Sequence, residues 1–208
     1  GDAVKCGMKS VKSATKILVL YGDVPLIKKE TLEKLIESAD SGLSILTTVL
    51  NKPFGYGRVK KDTDGNALAI VEEKDSSEAE KGIKEIFTGV LCGTKELIEE
   101  SLEKIGNDNA ANEYYLTDLV SIMSQNGIKI KTYKASNDEV KGANSKQELA
   151  QLEAIYRSMK SDELFNQGIT ISDSSRLDVR GEITAGKDCS IDVNVISEGS
   201  ITLGDNVS

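Results

Sequence analysis

From Val179 onward the sequence keeps a period of six. Ile183, Cys189, Val195, Ile201 and Val207 share one position of the repeat, and Val179, Ala185, Ile191, Ser197 and Leu203 lie four residues earlier. A small or β-branched residue at every sixth position suits a parallel β-helix, whose coils stack identical inward positions. The competing reading is two or three ordinary strands whose spacing coincides by chance, against which stands the fact that five units stay in phase. The last unit ends at Ser208, so a solenoid of this kind would be cut short.

Before that repeat the pattern differs. Residues 17–143 alternate apolar runs with amphipathic stretches, as expected of an α/β domain. Residues 17–21 are apolar throughout and predict a central strand covered on both faces. Leu32, Leu35 and Ile36 place one apolar face on a helix over 31–39, and 44–50 then returns as a strand. Residues 56–71 predict a hairpin turning at Asp64-Gly65. Helices are predicted over 95–105, with Thr94 as cap, and over 116–125, stopped by Asn126-Gly127 and followed by a strand over 128–133. Leu149, Leu152, Ile155, Tyr156 and Met159 make 146–166 one helix or two in tandem, ending at Gly168. The predicted division is an α/β domain over 1–144, a helical arm over 145–168 and the six-residue repeats over 169–208.

Composition removes whole mechanisms. The chain has no His, so it contains neither a Ser-His-Asp or Cys-His nucleophile system nor a His-containing zinc site. Its three cysteines, Cys6, Cys92 and Cys189, are far apart and read as buried small hydrophobes. With 26 Lys and Arg against 34 Asp and Glu, interleaved, the charge argues against a nucleic-acid backbone as the main partner. The apolar run at 17–21 is far short of the roughly 20 residues of a membrane span, and no signal-peptide pattern opens the chain; the expectation is a cytoplasmic protein with no membrane partner. The chain opens on Gly-Asp-Ala and stops inside a periodic pattern, as a fragment would.

Several residues are candidates for chemistry. Asp23 follows the strand at 17–21, where open α/β sheets place their ligands, and reads either as a metal ligand or as a turn cap before Val24-Pro25. Gly57 could let a ligand approach the backbone or could serve a tight turn. Glu72, Glu73 and Asp75 could bind sugar hydroxyls or form a solvated charge run.

Five motifs occur in one order: 20–27 (LYGDVPLI), 54–58 (FGYGR), 71–75 (VEEKD), 113–118 (EYYLTD) and 142–144 (GAN). In that order the chain resembles the bacterial bifunctional N-acetylglucosamine-1-phosphate uridylyltransferase/glucosamine-1-phosphate acetyltransferases over essentially all 208 residues. The six-residue repeat behind a helical arm and 177–181 (LDVRG) strengthen the match. The resemblance implies a Rossmann-like nucleotidyltransferase domain, a helical arm and a left-handed β-helix that carries acetyl transfer and trimerises. It further implies Mg²⁺-dependent uridylyl transfer from UTP to N-acetylglucosamine-1-phosphate, giving UDP-N-acetylglucosamine for peptidoglycan and lipopolysaccharide synthesis, with acetyl-CoA as co-substrate of the second activity.

Position by position, the resemblance makes Asp23 and Asn144 the Mg²⁺ ligands, and Tyr21, Gly22, Asp23, Gly57, Glu72 and Asn144 the sugar-nucleotide contacts. Phe87 stands in 85–89 (EIFTG) where that family usually has Asn, and Lys141 and Ser145 also depart from its pattern. Its Gly-rich loop and its acetyltransferase His have no counterpart among these residues, so the 208-residue species is expected to be inactive in acetyl transfer and weak or inactive in uridylyl transfer. Two alternatives remain: a monofunctional nucleotidyltransferase for another sugar-1-phosphate, and a non-catalytic assembly module built on the six-residue repeats.

Overall fold

The computed structural model describes residues 1–208, the side chain of Ser41 excepted, and divides into two compact units, Gly1–Lys141 and Gly142–Ser208. In chain order the first unit holds α1 (Asp2–Met8), β1 (Lys16–Val19), α2 (Lys29–Ser38), β2 (Leu43–Val49), β3 (Arg58–Lys61), β4 (Ala67–Val71), α3 (Glu78–Lys81), β5 (Glu85–Thr94), α4 (Lys95–Leu102), α5 (Asp118–Gln125) and β6 (Ile130–Lys134). One mixed sheet runs β4-β3-β5-β2-β6, with β1 also paired to β5.

Strand β5 organises this sheet. Its ten residues lie in the interior apart from the two ends, and β2 pairs antiparallel along one side of it. On the other side the partner changes: Arg58 of β3 faces Ile86, whereas Val19 of β1 faces Leu91. Because β1 runs antiparallel to β5, its C-terminal end points toward the middle of β5, and the N-terminal end of β3 points there from the opposite direction. The two strand ends converge on Thr88-Gly89, and Gly89 takes a positive φ of 88° where the strand changes neighbours. The strand-helix-strand unit read from the sequence is present, but β1 and β2 are separated by β5.

The core follows the apolar spacing. One face of the sheet packs Leu43, Ile45, Leu91, Ile98, Leu119, Met123 and Ile130, all with no exposed surface. The other packs Leu35, Ala39, Leu46, Val90 and Cys92 beneath α2. Burying an aliphatic side chain of this size is worth roughly 1.5–3 kcal/mol, so these positions set the sheet's layering. The hairpin turns at Gly65, φ 86°, with Asp62 Oδ1 accepting from the Asp64 and Asn66 amides. Gly127, φ 77°, follows α5 as expected.

Three expectations are corrected. Strand β1 packs to both faces, Ile17 and Val19 on one and Leu18 on the other, but it is an edge strand and not a central one: among the described residues it pairs with β5 alone, which leaves it half-buried along its length. Cys6 is exposed on α1, while Cys92 and Cys189 are buried. Thr94 occupies the N-cap position of α4 but makes no side-chain cap bond, and the helix ends at Leu102. Helices α1 and α3 were not legible in the hydrophobic pattern; α3 is a single turn held by a reciprocal capping box between Ser77 and Glu80.

The second unit holds α6 (Lys146–Asn166), β7 (Thr170–Ile171), β8 (Leu177–Ala185), β9 (Ser190–Ile191) and β10 (Val195–Leu203). Helix α6 is continuous, capped by Ser145 Oγ accepting from the Glu148 amide at 3.1 Å, and Gly168 follows with φ 84°. Strands β8 and β10 pair in parallel from Val195 against Leu177 to Leu203 against Ala185, so residues three six-residue units apart lie side by side. Strands β7 and β9 also pair in parallel. Leu177, Val179, Ile183, Cys189 and Ile191 pack together with Leu164 and Ile169. Asp188, Asn194 and Asn206 all take left-handed φ values of 55–62°, a conformation that Asn and Asp tolerate better than most residues.

Candidate active site

The candidate site forms where β1, β3 and β4 end around Gly89. Beyond β1, the Tyr21 ring lies directly over the α-carbon of Gly89, in the space a Cβ would need. Gly57, just before β3, is tied to β5 by its carbonyl, which accepts from the Phe87 amide at 2.9 Å. Antiparallel pairing of Arg58 with Val71 brings the next residue of the second strand, Glu72, beside Gly57. A Cβ on Gly57 would lie 2.6 Å from Ile70 Cγ2 and 3.4 Å from Glu72 Oε2. Glycine at 57 and 89 is therefore required by close approach, and at 89 by backbone conformation as well.

Glu72 is held at both ends. Its carbonyl accepts from the Asp75 amide at 3.0 Å and the Ser76 hydroxyl at 2.8 Å, and its Oε1 accepts from Thr117 Oγ1 at 2.9 Å. Beneath it, Arg58 is 2 % exposed and pairs through Nη2 with Glu73 Oε2 at 2.5 Å, while Nη1 donates to the Tyr56 carbonyl. The same Glu73 oxygen accepts from the Gly55 amide at 3.3 Å, so one carboxylate joins the loop before β3 to the turn after β4. Arg58 Nε is buried without a hydrogen-bond partner.

The electrostatics are acidic. Burial, then the charges of Glu72 and Asp23, raise the Tyr21 phenol above its usual 10, so it stays protonated at neutral pH. Burial and then Asp75 raise the Asp118 carboxyl. Asp23 itself is exposed beyond Gly22, also exposed, in the loop after β1. Among the described residues no three of His, Cys, Asp and Glu gather as a ready-made metal site.

The structure thus brings Tyr21, Gly57 and Glu72 to one place, with Gly22 and Asp23 on the adjoining loop. Asn144 lies in the other unit, exposed, its amide donating to Glu148 Oε2 at 2.7 Å just before α6. Phe87 is 6 % exposed and packs with the core of the sheet, where it offers no polar group. Sequence reasoning gave no role to Gly89, Thr117 or Arg58. Gly89 had a signal, a glycine inside an otherwise apolar strand; Arg58 and Thr117 stand in the motifs at 54–58 and 113–118, but neither motif shows a buried guanidinium or a hydroxyl bonded to a carboxylate 45 positions away.

No protein-family model matches the chain. Its fold is similar to solved nucleotidyltransferase structures: a CMP:2-keto-3-deoxy-manno-octonic acid synthetase complexed with CTP gives a TM-score of 0.55 at 18% identity, over 78% of this chain and 68% of that one. A nucleoside-diphosphate-sugar pyrophosphorylase from Vibrio cholerae RC9 gives 0.52 at 15%, over 72% and 60%. Sequence similarity is much higher to proteins named bifunctional protein GlmU. That from Psychrobacter sp. (strain PRwf-1) is 43% identical over 209 residues, 100% of this chain and 46% of the relative. Those from Methylococcus capsulatus and Neisseria meningitidis serogroup B are 44% and 43% identical, again over 100% of this chain and 46% of each relative. The fold is thus mixed α/β and Rossmann-like, of the nucleotidyltransferase kind, and the chain is related along its whole length to the bifunctional GlmU proteins, spanning about half the length of those it matches.

Proposed function

We propose that the protein carrying this sequence transfers a uridylyl group from UTP to N-acetylglucosamine-1-phosphate, releasing pyrophosphate. The observation that carries the reading is that Tyr21 lies against Gly89 while Glu72 lies beside Gly57, whose carbonyl is bonded to the Phe87 amide of the same strand, with the Glu72 charge acting on Tyr21, in a chain similar along its whole length to the GlmU proteins. The sugar phosphate is already an anion at neutral pH, so the reaction needs no general base, in keeping with a site that holds no His. Glu72 Oε2 offers an acceptor for a sugar hydroxyl, and the Tyr21 ring offers an apolar wall.

Two phosphates arriving beside Asp23 and Glu72, whose charges both act on Tyr21, would be repelled, so a hard cation has to come with them. Asp23 is an exposed oxygen donor that fits Mg²⁺, which favours one or two protein oxygens and keeps waters and substrate phosphates as its remaining ligands. Within the first unit Asp23 would hold it; when bound it would offset charge on the phosphate oxygens. We also assign residues 1–144 to the transferase domain, 145–168 to an arm, and 169–208 to the first coils of a β-helix, supported by the parallel register of β8 and β10. Acetyl transfer, trimer formation and cytoplasmic location belong to the same reading of the whole protein.

Pyrophosphate release from UTP and N-acetylglucosamine-1-phosphate tests this directly. The Asp23→Ala variant should lose about a hundredfold, some 2.7 kcal/mol of transition-state stabilisation. Activity within about threefold of wild type would remove Asp23 from the metal site. The burial of Phe87 favours examining a second sugar: turnover of glucose-1-phosphate above that of the N-acetylated sugar would move the substrate assignment and leave the reaction type intact.

A further inference from the structure

Thr117 directly precedes α5 with helical dihedrals, φ −62° and ψ −24°, and its hydroxyl makes no cap bond to the helix. Its hydroxyl instead donates to Glu72 Oε1 at 2.9 Å, from a side chain only 7 % exposed. The backbone of Glu72 is independently fixed by the Asp75 amide and the Ser76 hydroxyl on its carbonyl. With the carbonyl and one carboxylate oxygen both held, the remaining oxygen, Oε2, stays on the Gly57 side, 3.4 Å from where a Cβ on Gly57 would lie.

We infer that Thr117 is a positioning residue for sugar recognition: its hydroxyl fixes Glu72 Oε1 and so holds Oε2 where it can accept from a sugar hydroxyl. The inference rests on the nucleotidyltransferase reading and adds to it a residue that acts through Glu72 without touching the sugar. A hydroxyl serving only to tie α5 to β4 would affect stability alone. A hydroxyl that aims Glu72 affects the sugar and spares the nucleotide, because UTP does not depend on Oε2.

Steady-state kinetics of the enzyme carrying this sequence separate these roles. Thr117→Val is nearly isosteric and keeps the buried volume, and Thr117→Ser restores the hydroxyl. The expected result is a KM for N-acetylglucosamine-1-phosphate raised about tenfold in Thr117→Val and within twofold of wild type in Thr117→Ser, with the KM for UTP within twofold in both. In a Glu72→Gln background the Thr117→Val effect should shrink below about threefold, since the group being aimed is altered. Equal shifts for both substrates, no shift at all, or a serine variant no better than valine would overturn the inference. Absence of turnover by the wild type would instead overturn the nucleotidyltransferase reading, and the inference with it.

Discussion

Gly89 shows how one residue joins fold to site. Its φ of 88° lets β5 exchange β3 for β1 as neighbour, and its missing side chain leaves room for the Tyr21 ring. Gly89→Ala should therefore cost about 1–3 kcal/mol, through left-handed strain and displacement of Tyr21. Thermal unfolding reads this, and a loss below about 0.5 kcal/mol would mean that strand and ring adjust freely.

Glu80 makes a different prediction. Its hydrogen bonds, first to Lys60 and then to Ser77, hold the carboxyl at about 2, below its ordinary 4.5. A carboxyl depressed in the folded state stabilises above the unfolded pKa, and that contribution fades as pH falls through the folded one. The stability difference between wild type and Glu80→Gln should be constant above about pH 5 and shrink between about pH 4.5 and 2. A pH-independent difference in urea unfolding would show that the ion pair does not form in solution.

Among the elements, those with a strong period were the legible ones. The hairpin around Gly65, the helix over 146–166 and the inward positions at Val179, Ile183, Cys189 and Ile191 all follow from local pattern. Partner choice was not legible. Nothing local in 17–21 shows that β1 pairs on one side only, nor that β5 comes to lie between β1 and β2, because pairing depends on residues far along the chain. The same holds for the site: Asp23, Gly57, Glu72 and Thr117 all stand in recognisable motifs, but the hydrogen bond from Thr117 to Glu72 is one that only the fold creates. Within the second unit, Ile183 is 7 % exposed among stacked apolar neighbours, so Ile183→Ala should cost about 2–4 kcal/mol. Hydrogen exchange over β8 and β10 would report it; unchanged protection there would show that the stack does not depend on this layer.

At the scale of the molecule, an acidic chain with 34 carboxylate residues against 26 Lys and Arg is asked to receive phosphates. In the proposed function they are received where three strand ends meet in the first unit, together with a cation. No helix among the described residues is long and apolar enough to cross a membrane.

The most direct test is amide chemical-shift mapping with millimolar UDP-N-acetylglucosamine and Mg²⁺, which registers weak binding as well as strong. The expected result is shifts at Tyr21, Gly22, Asp23, Gly57, Glu72 and Gly89 that fall away when the cation is chelated, with β8 and β10 unmoved. Shifts confined to other surfaces, or none at these six residues at saturating ligand, would contradict it.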